Sequence, residues 1–288
     1  MIDLHTHTRF SDGSLTPTQV VELAAREGLR AVAITDHDSI DGLQEALEAG
    51  ARAGIEVVPG VELNLEHQQV TLDLLGYFFD GCPGEEMQTA LAELRRYRDE
   101  RNARILERLA TLGMPVRPDE LAAIAEHGTA GRPHIGEAMR RRGYVASVTE
   151  AFERYLRRGA PAWVDRRRLS LTQAVRLVHS NGGLAVIAHP GIIRADRAGL
   201  AAIVRDAARL GVVGLECHYP LHDAETVALC CTLCARHGLV ATGGSDFHGD
   251  VKPAARLGRG ENGRPIADDI LEALRHRATN GGPGRADT

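Results

Sequence analysis

Short apolar runs rich in β-branched residues alternate along the chain with longer segments in which apolar residues recur every three or four positions. The short runs are typical of buried strands, and the longer periodic segments are typical of amphipathic helices. Strands are predicted at residues 2–8, 31–36, 56–64, 70–79, 185–188, 212–219 and 240–246. Because helical segments separate most of these runs, the pattern predicts an α/β fold with a parallel sheet that is closed or nearly closed.

The first predicted helix has well-marked ends. Thr16 precedes Pro17, an arrangement typical of an N-cap residue followed by proline at the first helical position. An apolar face formed by Val20 and Leu23 follows, and Gly28 marks the end of the helix. This region is therefore predicted to be the helix that follows the first strand.

One long segment breaks the alternation. Between residues 84 and 159 there is no convincing strand, and the next one is predicted at 160–164. Helical periodicity runs instead through Leu91, Leu94, Ile105 and Leu109, and further helices are predicted at 119–126, 134–142 and 149–157. A structureless loop of this length would be unusual in a compact domain, so we interpret the segment as a helical insert.

These boundaries define the predicted domain organisation. Residues 1–83 and 160–279 would form one discontinuous barrel domain, and residues 84–159 would form an insert or cap. The tail, residues 280–288, is rich in glycine and is expected to be disordered.

Composition and charge exclude some classes of protein. The 288 residues carry a formal net charge of -5, which argues against a protein that binds duplex DNA through a basic face, although a local basic pocket is compatible with it. No apolar run has membrane-spanning length, and the first residues lack the features of a signal peptide. We therefore expect a cytoplasmic protein with no membrane partner, and leave its oligomeric state open.

A pair of cysteines permits two interpretations. Cys231 and Cys234 form a Cys-x-x-Cys motif within a predicted helix, which is compatible with redox chemistry or zinc binding. A second pair is absent from the sequence, and Val227 and Leu233 surround this one with apolar neighbours. Buried packing is therefore the favoured interpretation.

Histidine and carboxylate side chains follow the ends of five predicted strands. His5-x-His7 and Asp246-x-His248 occupy the first and last of these positions, and His37, Glu62 and His189 occupy the others. Residues two apart in a strand point to the same side, and the carboxyl ends of parallel strands meet at one rim of a barrel. The pattern predicts a metal site there. Imidazole and carboxylate ligands without thiolate suit Mn, Fe or Zn.

The order of these motifs resembles the polymerase-and-histidinol-phosphatase (PHP) superfamily. The matching motifs are His5-Thr6-His7, Ser11-Asp12-Gly13, Ile34-Thr35-Asp36-His37-Asp38, Pro59-Gly60-Val61-Glu62, Ala188-His189-Pro190 and Gly244-Ser245-Asp246-Phe247-His248. The resemblance covers most of the chain outside the insert. It implies the PHP fold, a distorted (β/α)7 barrel, with two or three divalent ions and Mn²⁺ as the expected metal.

The resemblance also implies how the ligands are shared. One ion would be held by His5, His7, Glu62 and Asp246. Glu62 would bridge to a second ion near His189, and Asp12, His37 and His248 would surround a third ion or the substrate phosphate. Relatives usually have histidine as a second-metal ligand where this chain has Asp73. We expect Asp73 to contact metal, with a weaker second or third ion as the consequence.

Such a centre is suited to hydrolysis of phosphate esters. Two ions bridged by a carboxylate activate a bridging hydroxide for in-line attack and neutralise charge on the phosphoryl oxygens. His248, His37 or Asp12 would donate a proton to the leaving oxygen. An amidohydrolase acting on C–N bonds would use similar ligands, but the PHP motifs favour a phosphate ester.

The predicted insert is rich in arginine. Arg98 and Arg101 share a helix face with Asn102 beside them, and Arg132 and His134 open another predicted helix, where free N–H groups favour anions. These five residues are the candidate substrate-binding residues. They indicate a substrate with a second phosphate, held by arginine.

The Gly-Arg-Pro-His motif and the arginine-rich insert resemble a PHP subgroup of stand-alone phosphoesterases. The resemblance implies two kinds of substrate: nucleoside 3′,5′-bisphosphates and short 5′-phosphorylated oligonucleotides. We expect a phosphatase that removes the 3′-phosphate of the bisphosphate, for example converting adenosine 3′,5′-bisphosphate to AMP. The alternatives are a 5′-to-3′ exoribonuclease, a histidinol-phosphate phosphatase and a non-catalytic accessory domain of a polymerase.

Overall fold

The computed structural model describes residues 1–125 and 130–281. The chain divides into two compact units. We call Met1–Thr89 with Arg168–Thr288 the barrel unit, and Ala90–Arg167 the helical unit. The end of the last helix, Asp269–Gly281, includes residues 280 and 281, which the sequence assigned to a disordered tail. The rest of that predicted tail lies outside the described residues.

A single sheet of eight strands forms the centre of the barrel unit. The strands are β1 (Ile2–Asp3), β2 (Ala31–Ile34), β3 (Glu56–His67), β4 (Val70–Tyr77), β5 (Leu169–Ser170), β6 (Leu184–Ile187), β7 (Gly214–His218) and β8 (Val240–Gly243). Their order in the sheet is β1-β2-β3-β4-β6-β7-β8, and β5 pairs with β3. Seven of the eight predicted strands are present, the exception being the one predicted at 160–164, and β5 was not predicted.

The prediction of a wholly parallel sheet is wrong at β4. This strand is antiparallel to β3 on one side and to β6 on the other, whereas β1, β2 and β3 are mutually parallel, as are β6, β7 and β8. The physical reason is the short turn that connects β3 to β4. Only Gln68 and Gln69 separate β3 from β4, both with positive φ, and a two-residue turn joins antiparallel strands.

The two ends of the sheet approach each other just beyond β1 and β8. Thr6 forms a parallel bridge with Phe247, and the His7 N–H donates to the Phe247 carbonyl oxygen at 2.8 Å. The Ile2 N–H donates to the Ile266 carbonyl oxygen at 3.2 Å. The sheet is therefore nearly closed, as expected for a distorted (β/α)7 barrel.

Helices connect most of the strands of the barrel unit. They are α1 (Pro17–Arg26), α2 (Leu43–Ala53), α7 (Leu171–Ser180), α8 (Arg197–Arg209), α9 (Ala224–His237) and α10 (Asp269–Gly281). The predicted start of α1 is confirmed: the Thr16 side chain accepts from the Gln19 N–H, and Pro17 is the first helical residue. Fully buried residues of the sheet and of α10, such as Val186 and Leu271, form one core cluster, and those of α1 and α2, such as Val20 and Ala46, contribute to another.

The helical unit has its own apolar core. Its helices are α3 (Glu85–Thr111), which begins in the barrel unit, α4 (Pro118–Ala125), α5 (Arg132–Arg141) and α6 (Val148–Ala151), followed by a π-helical turn at Phe152–Leu156. Ile105, Leu109, Ile135 and Met139 are fully buried in this core. The predicted strand at 160–164 is wrong: residues 160–162 form a bend and a turn, residues 163 and 164 are irregular, and the strand comes later as β5.

Among the described residues, no helix is both long enough and apolar enough to span a membrane.

Candidate metal-dependent active site

The nine predicted metal ligands all belong to the barrel unit, and most follow the carboxyl end of a strand. His5 and His7 come just after β1, and His37 comes three residues after the end of β2. His189 follows β6 by two residues. Asp12, Glu62, Asp73, Asp246 and His248 complete the set, with Glu62 inside β3 and Asp73 inside β4. Short parallel strands thus bring residues distant in sequence to one rim, as the sequence predicts.

Glu62 lies at the centre of this cluster. Its Oε2 atom lies 3.3 Å from His5 Nε2, 3.2 Å from His7 Nε2 and 3.0 Å from His37 Nδ1. Its Oε1 atom lies 3.0 Å from His189 Nε2. The two carboxylate oxygens therefore face different histidines, which is the arrangement a bridging ligand needs.

Asp246 lies on another side of the cluster. Its Oδ1 atom lies 3.3 Å from His7 Nε2 and 3.3 Å from His248 Nδ1. His248 extends the cluster to Asp12, since its Nε2 atom lies 3.1 Å from Asp12 Oδ1. Asp12 is the most exposed of these side chains, at 42%. The cluster is therefore open towards Asp12.

Asp73 also points into the cluster. Its Oδ2 atom lies 3.8 Å from His189 Nε2, and its Oδ1 atom accepts a hydrogen bond from Asn64 Nδ2 at 2.7 Å. Burial, followed by the negative charge of Glu62, raises the pKa of Asp73. The Oδ1 atom is therefore engaged by the amide, and Oδ2 is the oxygen that faces the cluster.

Four sets of these side chains are compact enough to hold a cation. In each set the ligand atoms lie within 4.8 Å of one another. The sets are His7, Asp12, His37 and His248; His5, Glu62 and His189; His5, His7 and Asp246; and His37, Glu62 and Asp73. The structure thus brings together all nine candidate ligands. Glu62 and His7 each belong to two of the sets, so neighbouring cations would share ligands, as the family pattern implies.

Several atoms in the cluster have a geometry suited to a cation. Glu62 Oε2 is buried without a hydrogen bond of acceptable geometry, although three imidazole nitrogens surround it. The Nε2 atoms of His5 and His7 face each other at 3.1 Å. Neutral imidazoles turned this way direct lone pairs at each other, and a shared cation removes the repulsion. The clusters therefore fit divalent metal binding.

The electrostatics of the cluster agree with this geometry. Burial opposes the charged form of His5, but the negative charges of Glu216, Glu62 and Asp246 outweigh burial and raise its pKa well above the usual value. Burial likewise opposes ionisation of Asp246, but His5, His7 and Lys252 together outweigh burial and hold the pKa of Asp246 below the usual range. The site is a strongly negative pocket that favours positive charge, whether protons or cations.

Two candidate ligands adopt left-handed backbone conformations. His189 has φ 27° and Asp246 has φ 53°, although neither is glycine. Such conformations are sparsely populated by residues with a side chain and are found where the surroundings hold them in place, often at functional sites. At both positions the chain turns sharply from a strand into a rim loop.

Three polar residues that sequence reasoning missed hold the candidate ligands in place. Asp246 Oδ2 accepts a hydrogen bond from the Tyr219 hydroxyl at 2.9 Å and another from Lys252 Nζ at 2.7 Å. Glu216 accepts from the His189 N–H and contacts the ring of His5. The signal in the sequence was Glu216 itself, a lone carboxylate between apolar neighbours in a predicted strand.

A cavity of about 560 Å³ opens beside the cluster within the barrel unit. His37, Glu62, Asp73, His189 and Asp246 form part of its lining. The remainder is mainly apolar and comes from the loops after β6, β7 and β8: Ile192, Tyr219, Pro220, Leu221, Pro253, Ala254 and Ala255, with Ser245 and Lys252 as polar members. Ligand pockets commonly enclose about 300–1,000 Å³, so a nucleotide-sized molecule is compatible with this volume.

The candidate substrate-binding residues lie in the helical unit. Arg101 is buried and donates from Nη2 to Asn102 Oδ1 at 2.8 Å, and Asn102 Nδ2 donates to the Ala130 carbonyl at 2.8 Å. Arg98, on the same helix, is partly buried. These contacts hold Arg101 and Asn102 in one geometry within the unit.

Arg132 and His134 lie at the start of α5, as predicted. The Arg132 guanidinium lies 4.7 Å from the centre of the Trp163 ring and donates to the Leu156 carbonyl at 3.3 Å. His134 Nδ1 accepts the Gly131 N–H at 2.9 Å. Part of the role of each residue is therefore structural. Because these residues and the metal cluster lie in different units, their binding of substrate stays a prediction.

The Cys231-x-x-Cys234 pair does not belong to the cluster. Cys234 is buried in α9, and its sulfur lies 3.6 Å from that of Cys217 in β7. All of these cysteines are free thiols. The interpretation of apolar packing between helix and strand fits Cys234.

Comparison with known proteins agrees with the site. The model of the PHP domain family matches residues 3–159. The chain is 34% identical over 278 residues to the 3′,5′-nucleoside bisphosphate phosphatase of Chromobacterium violaceum, covering 96% of this chain and 97% of that protein. It is 31% identical over 271 residues to the 5′-3′ exoribonuclease Rnm of Salmonella typhimurium, covering 89% and 88%.

A solved structure has the same fold. The structure of a protein from Bifidobacterium adolescentis, described as a metal-dependent phosphoesterase, superposes with a TM-score of 0.81 at 31% identity and covers 96% of each chain. These similarities and the cluster together define the class of the protein as a metal-dependent phosphoesterase, a hydrolase acting on phosphoric esters. The chain belongs to the PHP domain family.

Proposed function

We propose that this phosphoesterase removes the 3′-phosphate of nucleoside 3′,5′-bisphosphates, leaving a nucleoside 5′-monophosphate and phosphate. The observation that carries the proposal is the convergence of nine histidine and carboxylate side chains, with Glu62 at their centre, in a chain 34% identical over nearly its whole length to a bisphosphate phosphatase.

The cluster would hold two or three divalent cations. His5, His7, Glu62, His189 and Asp246 would be the inner ligands, because they make up the two sets that share His5, and Asp12, Asp73, His37 and His248 would complete the outer positions. Bound cations supply Lewis acidity, which acidifies water and neutralises the charge that builds on a phosphoryl group. We expect Mn²⁺, with Zn²⁺ or Fe²⁺ as the alternatives that the same ligands accept.

Of the two histidines among the candidate proton donors, exposure favours His37, and Asp12, although more exposed, is not part of the cavity lining. The His37 side chain is 29% exposed and lines the cavity, so a leaving oxygen can approach it. His248 is 1% exposed, and its Nδ1 atom lies 2.8 Å from the Asp246 carbonyl oxygen, which leaves Nε2 directed at Asp12. His37 would thus donate the proton, while His248 and Asp12 would act as ligands.

The cavity supports a substrate with an apolar part next to the ester. Ile192 and Leu221 are large apolar side chains that are 50% and 74% exposed, and exposed apolar side chains that share one surface often mark a ligand-binding site. Both line the cavity beside the cluster. A nucleoside whose phosphate lies at the cluster would cover them with its base and sugar, whereas a small polar ester would leave them in water.

The arginine residues of the helical unit support a second phosphate. Arg132 and Arg101 would bind the 5′-phosphate through charged hydrogen bonds, which are stronger than hydrogen bonds between neutral groups. A short RNA with a 5′-phosphate offers the same group, and the similarity to Rnm makes 5′-3′ exoribonuclease activity on short oligonucleotides the second candidate. The hydrolysis would be the same, with a nucleotide as the leaving group.

A substrate screen on the metal-loaded protein tests the proposal. Phosphate release would be measured on adenosine 3′,5′-bisphosphate, AMP, histidinol phosphate and a short 5′-phosphorylated RNA, after metal analysis of the purified protein. We expect the highest kcat/KM on the bisphosphate with AMP as product. Higher turnover of histidinol phosphate would contradict the proposal, and release of mononucleotides from RNA at a higher kcat/KM would favour the exoribonuclease.

A further inference from the structure

Glu216 is a buried carboxylate inside the sheet. It lies in β7 and is 0% exposed, as are its neighbours Leu215 and Cys217. A carboxylate in such surroundings is strongly unfavourable unless other groups satisfy it. The groups that surround Glu216 therefore indicate why the chain keeps a charge there.

Both partners of Glu216 are candidate metal ligands. Its Oε1 and Oε2 atoms lie 3.0 and 3.2 Å from His5 Nδ1, and Oε2 accepts the backbone N–H of His189 at 2.8 Å. A carboxylate can only accept, so the contact places the ring proton of His5 on Nδ1. The lone pair of His5 Nε2 is then directed at Glu62, 3.3 Å away.

The contact with His189 concerns its backbone. His189 has φ 27° and ψ 59°, a conformation that a residue with a side chain rarely adopts. The hydrogen bond from its N–H to Glu216 holds this conformation, and the conformation directs His189 Nε2 to Glu62 Oε1 at 3.0 Å. One carboxylate thus orients two ligands that come from opposite parts of the chain.

Gly244 leaves room for this arrangement. A Cβ atom at Gly244 would lie 2.2 Å from the Cβ of His5 and 2.7 Å from Glu216 Oε1, too close for either contact. Any larger residue there would push His5 and Glu216 apart. The absence of a side chain at Gly244 therefore allows the contact between His5 and Glu216.

We propose that Glu216 is a positioning residue that fixes His5 and His189 as ligands of the cation held by His5, Glu62 and His189. Within the described residues it belongs to none of the four sets that could bind a cation, so it acts through the two histidines. The inference rests on the proposed metal centre and adds a partner that orients its ligands. Such partners commonly change metal affinity when they are replaced.

Glu216→Gln tests the proposal. The glutamine has the same shape, but it has one acceptor oxygen and an amide that donates, so it cannot accept from both His5 Nδ1 and the His189 N–H in the same way. We expect about 10- to 100-fold weaker affinity for Mn²⁺, measured by competition with a chelator. The visible spectrum of the Co²⁺-loaded protein should also change, because the ligand geometry changes.

Glu261→Gln is the matched control. Glu261 is also a buried glutamate, 5% exposed, whose carboxylate contacts a histidine ring, His218 Nδ1 at 3.2 Å. That pair belongs to none of the metal sets of the described chain. We expect the Mn²⁺ affinity of Glu261→Gln to equal that of the unmodified protein.

Glu216→Asp guards against a folding failure. Aspartate keeps the charge but is shorter by one methylene group, so it cannot reach both partners, and we expect a loss of affinity in the same direction. Thermal unfolding in the presence of chelator shows whether each variant is folded. Unchanged Mn²⁺ affinity in folded Glu216→Gln or Glu216→Asp would overturn the proposal, and an equal loss in Glu261→Gln would overturn it too.

Measurement of Mn²⁺ affinity tests the role of Glu216 separately from the proposed substrate. If the unmodified protein binds Mn²⁺ but does not hydrolyse nucleoside bisphosphates, the substrate proposal fails, while a weaker Mn²⁺ affinity of Glu216→Gln still supports the role of Glu216. If the unmodified protein binds no divalent cation, both proposals fail.

Discussion

The Nε2 atoms of His5 and His7 lie 3.1 Å apart, and both rings direct those atoms at Glu62 Oε2. Their Nδ1 atoms face other partners, Glu216 for His5 and the Ser11 hydroxyl for His7 at 3.3 Å. The two rings are therefore held with the same nitrogen turned inwards. A cation between them replaces repulsion by coordination, so metal binding and folding stability should be coupled.

Removal of metal should lower the melting temperature. A ligand present at about 100 times its Kd stabilises the folded state by about 2.7 kcal/mol, so a chelator should remove stability of this order, and Mn²⁺ should restore it. His7→Ala should abolish this Mn²⁺-dependent stabilisation together with turnover. Differential scanning calorimetry with and without chelator measures the effect.

His67→Ala is the control for this experiment. His67 is a partly exposed histidine whose ring contacts Asp206 at 3.3 Å, away from the cluster. Its replacement should leave the response to Mn²⁺ intact. An identical melting temperature with and without metal in the unmodified protein would contradict the coupling.

The candidate ligands could be predicted because their chemistry is local in sequence. His5-x-His7 and Asp246-x-His248 each place two ligands after a strand, and parallel strands bring such positions to one rim. The start of α1 was equally local, because Thr16 and Pro17 are cap and first-turn residues. Periodicity and spacing were sufficient for these features.

Other features depend on contacts that sequence patterns do not carry. The direction of β4 was missed because its apolar run has the same pattern in either direction, and Gln68-Gln69 lacks the glycine or asparagine typical of a tight hairpin. Glu216 was missed because its partner His5 lies 211 positions away. Pairings over such separations arise only from the closure of the sheet.

Arg132→Ala should weaken binding of the nucleoside bisphosphate. If Arg132 binds the second phosphate, loss of a charged hydrogen bond should cost about 1.5–3 kcal/mol, seen mainly as a higher KM. The KM for a monophosphate ester should not change. Steady-state kinetics on both substrates measures these changes. An equal rise in KM for both substrates would show that Arg132 does not bind the second phosphate.

Arg132 also packs on the Trp163 ring, so its replacement removes a packing contact as well as a charge. Arg154→Ala is a suitable control for that loss of packing. The Arg154 guanidinium lies 5.0 Å from the centre of the Tyr155 ring and is paired with Glu150 on the surface of the same unit. Its loss removes a similar packing contact without removing the proposed phosphate ligand. We expect unchanged KM values for Arg154→Ala.

Leu221→Ser should reduce binding of substrates that carry a base. Leu221 is 74% exposed and lines the cavity, and burial of an apolar side chain by a ligand contributes about 1.5–3 kcal/mol when burial is complete. We expect a several-fold higher KM for the nucleoside bisphosphate and no change for a small phosphate ester. Val251→Ser, at a 59% exposed residue outside the cavity lining, is the control.

Asp73→His should strengthen the binding of one cation. The substitution supplies the imidazole that the family pattern has at this position and removes the acceptor that Asn64 uses. We expect a higher metal content after dialysis and a larger Mn²⁺-dependent rise in activity at low metal concentration. Asp73→Asn should have the opposite effect. Equal metal content in all three proteins, measured by atomic emission, would show that Asp73 does not bind metal.

His222 should make stability depend on pH. The ring is 3% exposed, its Nδ1–H donates to the Cys217 carbonyl at 2.9 Å, and its Nε2 atom accepts the Gly191 N–H at 3.0 Å. Burial lowers the pKa of His222, because the charged form is poorly solvated there and Nε2 would have to give up its acceptor role. The folded state therefore holds the ring neutral where the unfolded chain would protonate it.

The sign follows from proton uptake. The unfolded histidine, with a pKa of about 6.5, binds its proton before the folded one does, so stability is fully present above about pH 6.5 and falls as the pH decreases below that value. His222→Phe removes this proton difference along with two hydrogen bonds. We expect it to be less stable at neutral pH, and the stability gap between the two proteins to narrow in acid. Urea unfolding from about pH 5 to about pH 8 measures the gap, and two curves that stay parallel would contradict the prediction.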